Sequence, residues 1–99
     1  MDAPEKMKFK VWWIPQIPMK RFEVDVDTVC AGRKLCAVLA DYDRFQFNNN
    51  VKPDYCNAGG VVFSHPQYEG GNWVDVPDCE DEWSYVIEEI NALANVEAA

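Results

Sequence analysis

A chain of 99 residues, 48% of them apolar and four of them tryptophan, has the composition of one folded domain; its net charge is −8. The length excludes a second core, and the apolar fraction excludes a disordered chain. All nine Lys and Arg lie at or before Lys52, so residues 53–99 carry ten acids and no base. That balance excludes direct nucleic-acid binding, which needs clustered bases on phosphates.

The domain is expected to span residues 1–99, with a loose arm at 1–7 and a frayed end at 96–99. "MDAPEKMKFK" has no apolar centre for a signal peptide, and "VWWI" and "CAVLA" are too short to span a bilayer. The expectation is a cytoplasmic protein with reduced thiols and no membrane span.

"KFKVWWIP" alternates, with Phe9, Val11 and Trp13 on one face and Lys8, Lys10 and Trp12 on the other; Pro15 ends the strand. "RFEVDV" alternates likewise, with Phe22, Val24 and Val26 inward, and the two runs are expected to pair as an antiparallel hairpin. Asp27 or Thr28 suits the N-cap of a helix from about Val29 to Ala40. Leu35, Cys36 and Leu39 form its apolar stripe, Tyr42 is expected to extend that stripe by one more turn, and Gly32 implies close packing against a strand. "DYDRFQF" either continues this helix with a bend or forms a separate turn, and Asn48–Asn50 stop it.

Residues 51–60, "VKPDYCNAGG", read as a shaped turn. Pro53, Asp54 and Asn57 suit turn positions, and Gly59 and Gly60 give freedom to start a strand at Val61. "VVFSH" and "NWVDV" are short strands, the second with Trp73 and Asp75 on one face and Val74 and Val76 on the other. A final helix from about Glu80 to Asn95 follows the spacing of Trp83, Val86, Ile87, Ile90 and Leu93. Glu80, Asp81 and Glu82 occupy its first turn, where the helix dipole favours acids. The fold class is therefore α+β: a two-layer ββαββα arrangement with two helices on one face of a four-stranded antiparallel sheet. Trp12 and Trp73 fall on the open face, where an aromatic patch marks an interaction site.

Chemistry-bearing patterns are sparse. Cys30, Cys36, Cys56 and Cys79 contain no CxxC spacing, so neither zinc nor a dithiol redox motif is indicated. Cys36 reads as core filler, and the acids around Cys79 blunt its reactivity. Cys56 is the one tempting nucleophile, but it needs a base. The sole histidine, His65, reads as a surface residue before a proline. The pairs Asp41 with Asp43 and Glu88 with Glu89 come with no apolar pocket, and "GG" without a following Lys–Ser is no phosphate loop.

At "KVWWIPQIPMKRFEV", "LADYDRFQFNNNVKPDYCNAGG" and "WVDV" the chain resembles a family of small bacteriophage and prophage proteins known as superinfection exclusion proteins. The resemblance covers about residues 7–76 and leaves out the acidic tail from Pro77. It brings no catalytic residues, no metal and no cofactor. It implies a phage-encoded protein; the lack of a catalytic set makes a non-enzymatic role the expectation, and the lack of a span or export signal makes the bacterial cytoplasm the expected compartment. Such a protein binds and blocks a host or competing-phage protein, for exclusion or counter-defence. The expected contact residues are Trp12, Tyr68 and Trp73 with the acids Glu80, Asp81, Glu82, Glu88 and Glu89. A sharper alternative is an anti-CRISPR or anti-restriction inhibitor whose acids imitate nucleic acid and bind a nucleic-acid-binding complex. A small enzyme using Cys56 and a homodimer formed through the Trp12 face are the other classes; the oligomeric state is not legible.

Overall fold

The computed structural model describes residues 4, 6–15, 20–50 and 57–98, with side chains described as far as Leu93. The elements are β1 (Lys8–Ile14), β2 (Phe22–Val26), α1 (Val29–Asn48), β3 (Ala58–Ser64), β4 (Val74–Asp75) and α2 (Glu80–Ala98), with a short 3-10 turn at Glu69–Gly71. The four strands form one antiparallel sheet in the order β2-β1-β3-β4, so the expected α+β class and ββαββα sequence of elements stand. β2 and β3 both run antiparallel to β1 and flank it. They are therefore parallel to each other, and α1 is the crossover that joins them over β1.

The alternation read from β1 is the one observed. Phe9, Val11 and Trp13 are buried, and with Val61, Phe63, Val76, Ile87 and Ile90 they make the core. Val11, Phe63 and Ile90 are almost wholly enclosed, each contributing roughly 1.5–3 kcal/mol by leaving water. Trp83 of α2 sets its ring edge-on to Phe9 and Phe63, at centroid distances of 6.2 and 5.0 Å. α1 presses on the same face. A Cβ at Gly32 would lie 3.0 Å from a Val61 methyl and 3.3 Å from a Val26 methyl, which accounts for the glycine. Thr28 is the N-cap in use; its Oγ1 accepts from the Ala31 N–H at 3.0 Å.

Three boundaries differ from expectation. α1 runs unbroken to Asn48, so "DYDRFQF" continues the helix, but Tyr42 does not extend the inner stripe: it lies to the outer side of the Leu35–Leu39 line and is exposed. It stops as expected among the asparagines: Asn50 takes a φ of +61°, and the Asn49 side chain donates to the Phe45 carbonyl at 2.8 Å. β3 begins at Ala58, three residues before the expected start, and β4 is only Val74–Asp75.

The early start of β3 changes the role of its glycines. Trp12 pairs with Gly60 and Trp13 with Gly59 across the two central strands. A Cβ at Gly59 would lie 2.1 Å from Trp13 Cε3 and 2.9 Å from the Trp12 carbonyl oxygen. At Gly60 it would meet Trp12 Nε1 at 3.3 Å. Neither glycine has a positive φ. They are present because an indole occupies the space on each side of the sheet, and not for backbone freedom. Residues 51–56 of the decapeptide, including Pro53, Asp54 and Cys56, lie outside the described residues.

Trp13 also ties the layers together. Its Nε1 donates to Asp43 Oδ2 at 3.0 Å, and Asn57 Nδ2 donates to the same oxygen at 2.8 Å. Asp43 is 3% exposed, so α1 presents a buried carboxylate to a core indole and to the residue entering β3. On the other flank of α1, Arg33 Nη2 donates to the Pro77 carbonyl at 3.0 Å, just before α2.

Urea denaturation is expected to rank substitutions accordingly. Gly59→Ala should cost about 3 kcal/mol or more, because backbone and ring both block the methyl, and Gly60→Ala about 1 kcal/mol or less. Asp43→Leu should cost about 2–4 kcal/mol, since it leaves the Trp13 and Asn57 N–H donors without their shared acceptor oxygen. Equal costs at the two glycines would contradict the packing described here.

Candidate functional site on the open face of the sheet

With both helices on one layer, the other face of the sheet carries Lys8, Lys10, Trp12 and Ile14 of β1. Beside them stand Glu23 and Asp25 of β2, Gly60, Val62 and Ser64 of β3, and Asp75 of β4. Trp73, two residues before Asp75, falls on the same face. Lys10 is the hub: its Nζ is 3.0 Å from Glu23 Oε2 and 4.3 Å from the centroid of Trp73. Arg21 lies 4.3 Å over the ring of Trp12. Each cation over an indole is worth about 0.5–1 kcal/mol at such an exposed site.

No described helix covers this face, yet Val62 is buried. Its sheet neighbours there are Lys10 and Asp75, with Trp12 and Trp73 within diagonal reach. The two indoles and Val62 thus make a thin apolar strip rimmed by charge. Trp73 stays 41% exposed, while Trp12 is half-buried. Trp12 Nε1 is enclosed without a hydrogen-bond partner among the described residues. An unmet buried donor of that kind costs about 1–3 kcal/mol.

The other expected contact residues lie elsewhere. Tyr68 packs on the core side, its ring 5.5 Å from Phe63. Glu80, Asp81, Glu82, Glu88 and Glu89 are all exposed on α2, in the layer opposite Trp12 and Trp73. The structure therefore divides the expected site into an aromatic sheet face and an acidic helix. At 100° per residue, Asp81, Tyr85 and Glu88 point outward together, and Tyr85 is 68% exposed among these acids.

The candidate reactive groups do not converge among the described residues. Asp41 is exposed whereas Asp43 is buried against Trp13 and Asn57, so they are no dyad. Glu88 and Glu89 face water. His65, expected at the surface, is buried: its Nδ1 accepts from the Gln67 N–H at 3.1 Å and its carbonyl from the Tyr68 N–H at 3.0 Å. Both bonds close the turn that the following proline begins. Cys30 and Cys79 are exposed, and burial pushes the half-buried Cys36 thiol above its ordinary value. Among the described residues no group of three or more His, Cys, Asp or Glu is placed to hold a metal ion. No described helix is long and apolar enough to cross a membrane.

Tyr68 carries a pH signature. Burial first, then the charges of Glu89 and Glu69 and the neighbouring Tyr85, raise its hydroxyl above the ordinary tyrosine value. The folded state thus holds this proton more tightly than the unfolded chain does. The contribution to stability is complete below about pH 10 and fades as pH rises through the folded value. Absorbance titration at 295 nm should show a late ionisation that Tyr68→Phe removes. The variant should also lose stability less steeply than the parent above pH 10.

Comparison with known proteins gives this geometry its setting. The family model for superinfection exclusion gene product 17 matches residues 8–97. That span includes α2, so the acidic helix is part of the shared architecture and the expectation that it lay outside the likeness is corrected. The superinfection exclusion protein of Salmonella phage P22 is 46% identical over 77 residues, 78% of this chain and 74% of the relative. No solved structure matches. A likeness running from the first strand through the last helix makes this chain a member of the superinfection exclusion gene product 17 family.

Proposed function

We propose that the chain is a non-enzymatic phage protein that serves superinfection exclusion by binding and covering a surface of a host or competing-phage protein. The observation that carries this reading is the open sheet face. It offers two tryptophans and a buried valine at its centre, and Lys10, Arg21, Glu23, Asp25 and Asp75 around them. An aromatic centre inside a charged rim is the anatomy of a protein-binding patch. Family membership supports the exclusion role, and the cytoplasm of the infected cell is the compartment in which such a partner would be met.

A second reading rests on a different observation. Glu80, Asp81, Glu82, Glu88 and Glu89 are all exposed along one helix. A row of carboxylates can imitate a phosphate backbone and occupy the basic groove of a nucleic-acid-binding complex, as an anti-CRISPR or anti-restriction inhibitor would. Tyr68, beside Glu89, would then belong to this surface and not to the sheet face.

Affinity capture from infected and uninfected host cells, with a plaque assay on a phage panel, separates the two. Under the first reading Trp73→Ala weakens partner recovery about thirtyfold, as the loss of a central aromatic anchor does. It abolishes exclusion while leaving the fold intact, and reversal of Glu88 and Glu89 to lysine has little effect. Under the second, the charge reversal is the damaging change and recovery falls steeply between low and moderate salt. Failure to recover any stoichiometric partner at either salt concentration would overturn both.

A further inference from the structure

We infer that the outer flank of α1 is a self-association face, on which a second copy of this chain docks antiparallel. The inference is independent of the sheet-face reading, since it uses the opposite layer. At 100° per residue the inner side of α1 is marked by Gly32, Leu35, Leu39 and Asp43, which meet the sheet or its core. A second apolar line runs along the outside through Ala31, Val38, Tyr42 and Phe45. All four are exposed, the last three at 54%, 55% and 60%. The intervals of seven, four and three residues are those of a helix–helix seam and not of scattered surface apolars.

Placement within the fold isolates this line from the acids. Arg33, on the far flank of α1, bonds the Pro77 carbonyl beside α2, so the stripe turns away from α2 toward the edge strand β2. There Phe22, on the helix-bearing face of β2, is also 54% exposed. Four of the chain's exposed large apolar side chains thus share one flank. Lys34 and Asp41 border the stripe and balance each other in charge. Two copies of charge −8 can meet here without bringing like charges together.

Self-complementarity argues for a second copy as the occupant. An antiparallel pairing about a two-fold axis through Val38 sets Ala31 against Phe45 of the other copy, small against large. In an antiparallel pair the same flanks face each other. Lys34 of each copy therefore comes beside Asp41 of the other, giving two symmetry-related ion pairs. The apolar area is on the order of 300–400 Å² per copy, under half of the roughly 800 Å² per partner of a standard interface, so the dimer is a weak and transient one.

Sedimentation equilibrium of the full chain from about 1 to 500 μM tests this, with circular dichroism and urea titration confirming that each variant is folded. The weight-average mass should rise from the monomer's 11.3 kDa toward twice that value. Phe45→Glu, at an exposed position, should hold it at the monomer value throughout. Lys34→Asp should weaken association at least fivefold, and Lys34→Asp combined with Asp41→Lys should restore it. A parent chain monomeric at 500 μM overturns the inference, as does a dimer indifferent to Phe45→Glu or a charge swap that fails to rescue.

Discussion

Two indoles set against two glycines across the central strands fix this molecule. Trp12 opposite Gly60 and Trp13 opposite Gly59 are neighbouring pairs in one ladder, so their rings leave the sheet on opposite sides. A slip of one residue would send Trp13 to the open face and bring a bulkier neighbour under a ring. The fit therefore sets register and assigns faces at once. It places one tryptophan in the core, where its N–H reaches Asp43, and the other on the open side under Arg21. The buried carboxylate then holds α1 to β1 and to Asn57 at the entry to β3.

This arrangement explains why surface chemistry is partitioned. The crossover of α1 over β1 commits one face of the sheet to the core, and α2 joins it there through Trp83. The aromatic strip must then lie on the other face, and the acids of α2 point outward from the helical layer. Residues that looked like one site in a linear reading are separated by the thickness of the sheet.

Much of the architecture was legible because it rests on periodicity. The alternation of Phe9, Val11 and Trp13, the Thr28 cap, the glycine under α1 and the Trp83–Ile87–Ile90 spacing are local signals, and all hold. What was not legible depends on partners distant in sequence. "DYDRFQF" could be read as a bent continuation of α1 or as a separate turn; its unbroken continuation with Asp43 on the inner side rests on Trp13 and Asn57, which donate to that carboxylate. Gly59 and Gly60 look like turn residues until their cross-strand neighbours are known. His65 precedes a proline, as surface turns do, yet its ring nitrogen and carbonyl both serve the turn from the inside. Of the expected contact residues, Trp12 and Trp73 do share a face; Tyr68 does not join them, because strand direction after His65 depends on that buried turn.

The edges of the sheet bear on how copies of the chain can meet. β4 is two residues long and offers little to pair with. β2 is the longer edge, but Glu23 and Asp25 stand on its open-face side. Antiparallel pairing of two β2 strands about Val24 would set Glu23 against Asp25 of the other copy, twice, and like charges directly opposed are destabilising. Edge-to-edge growth in that register is therefore discouraged by the same acids that rim the aromatic strip. The flank of α1, nearly neutral and lined by Val38, Tyr42 and Phe45, has no such guard. Charge placement on β2 thus steers self-association away from the sheet edge and toward the helix, and it leaves the Trp12–Trp73 face free for a different molecule.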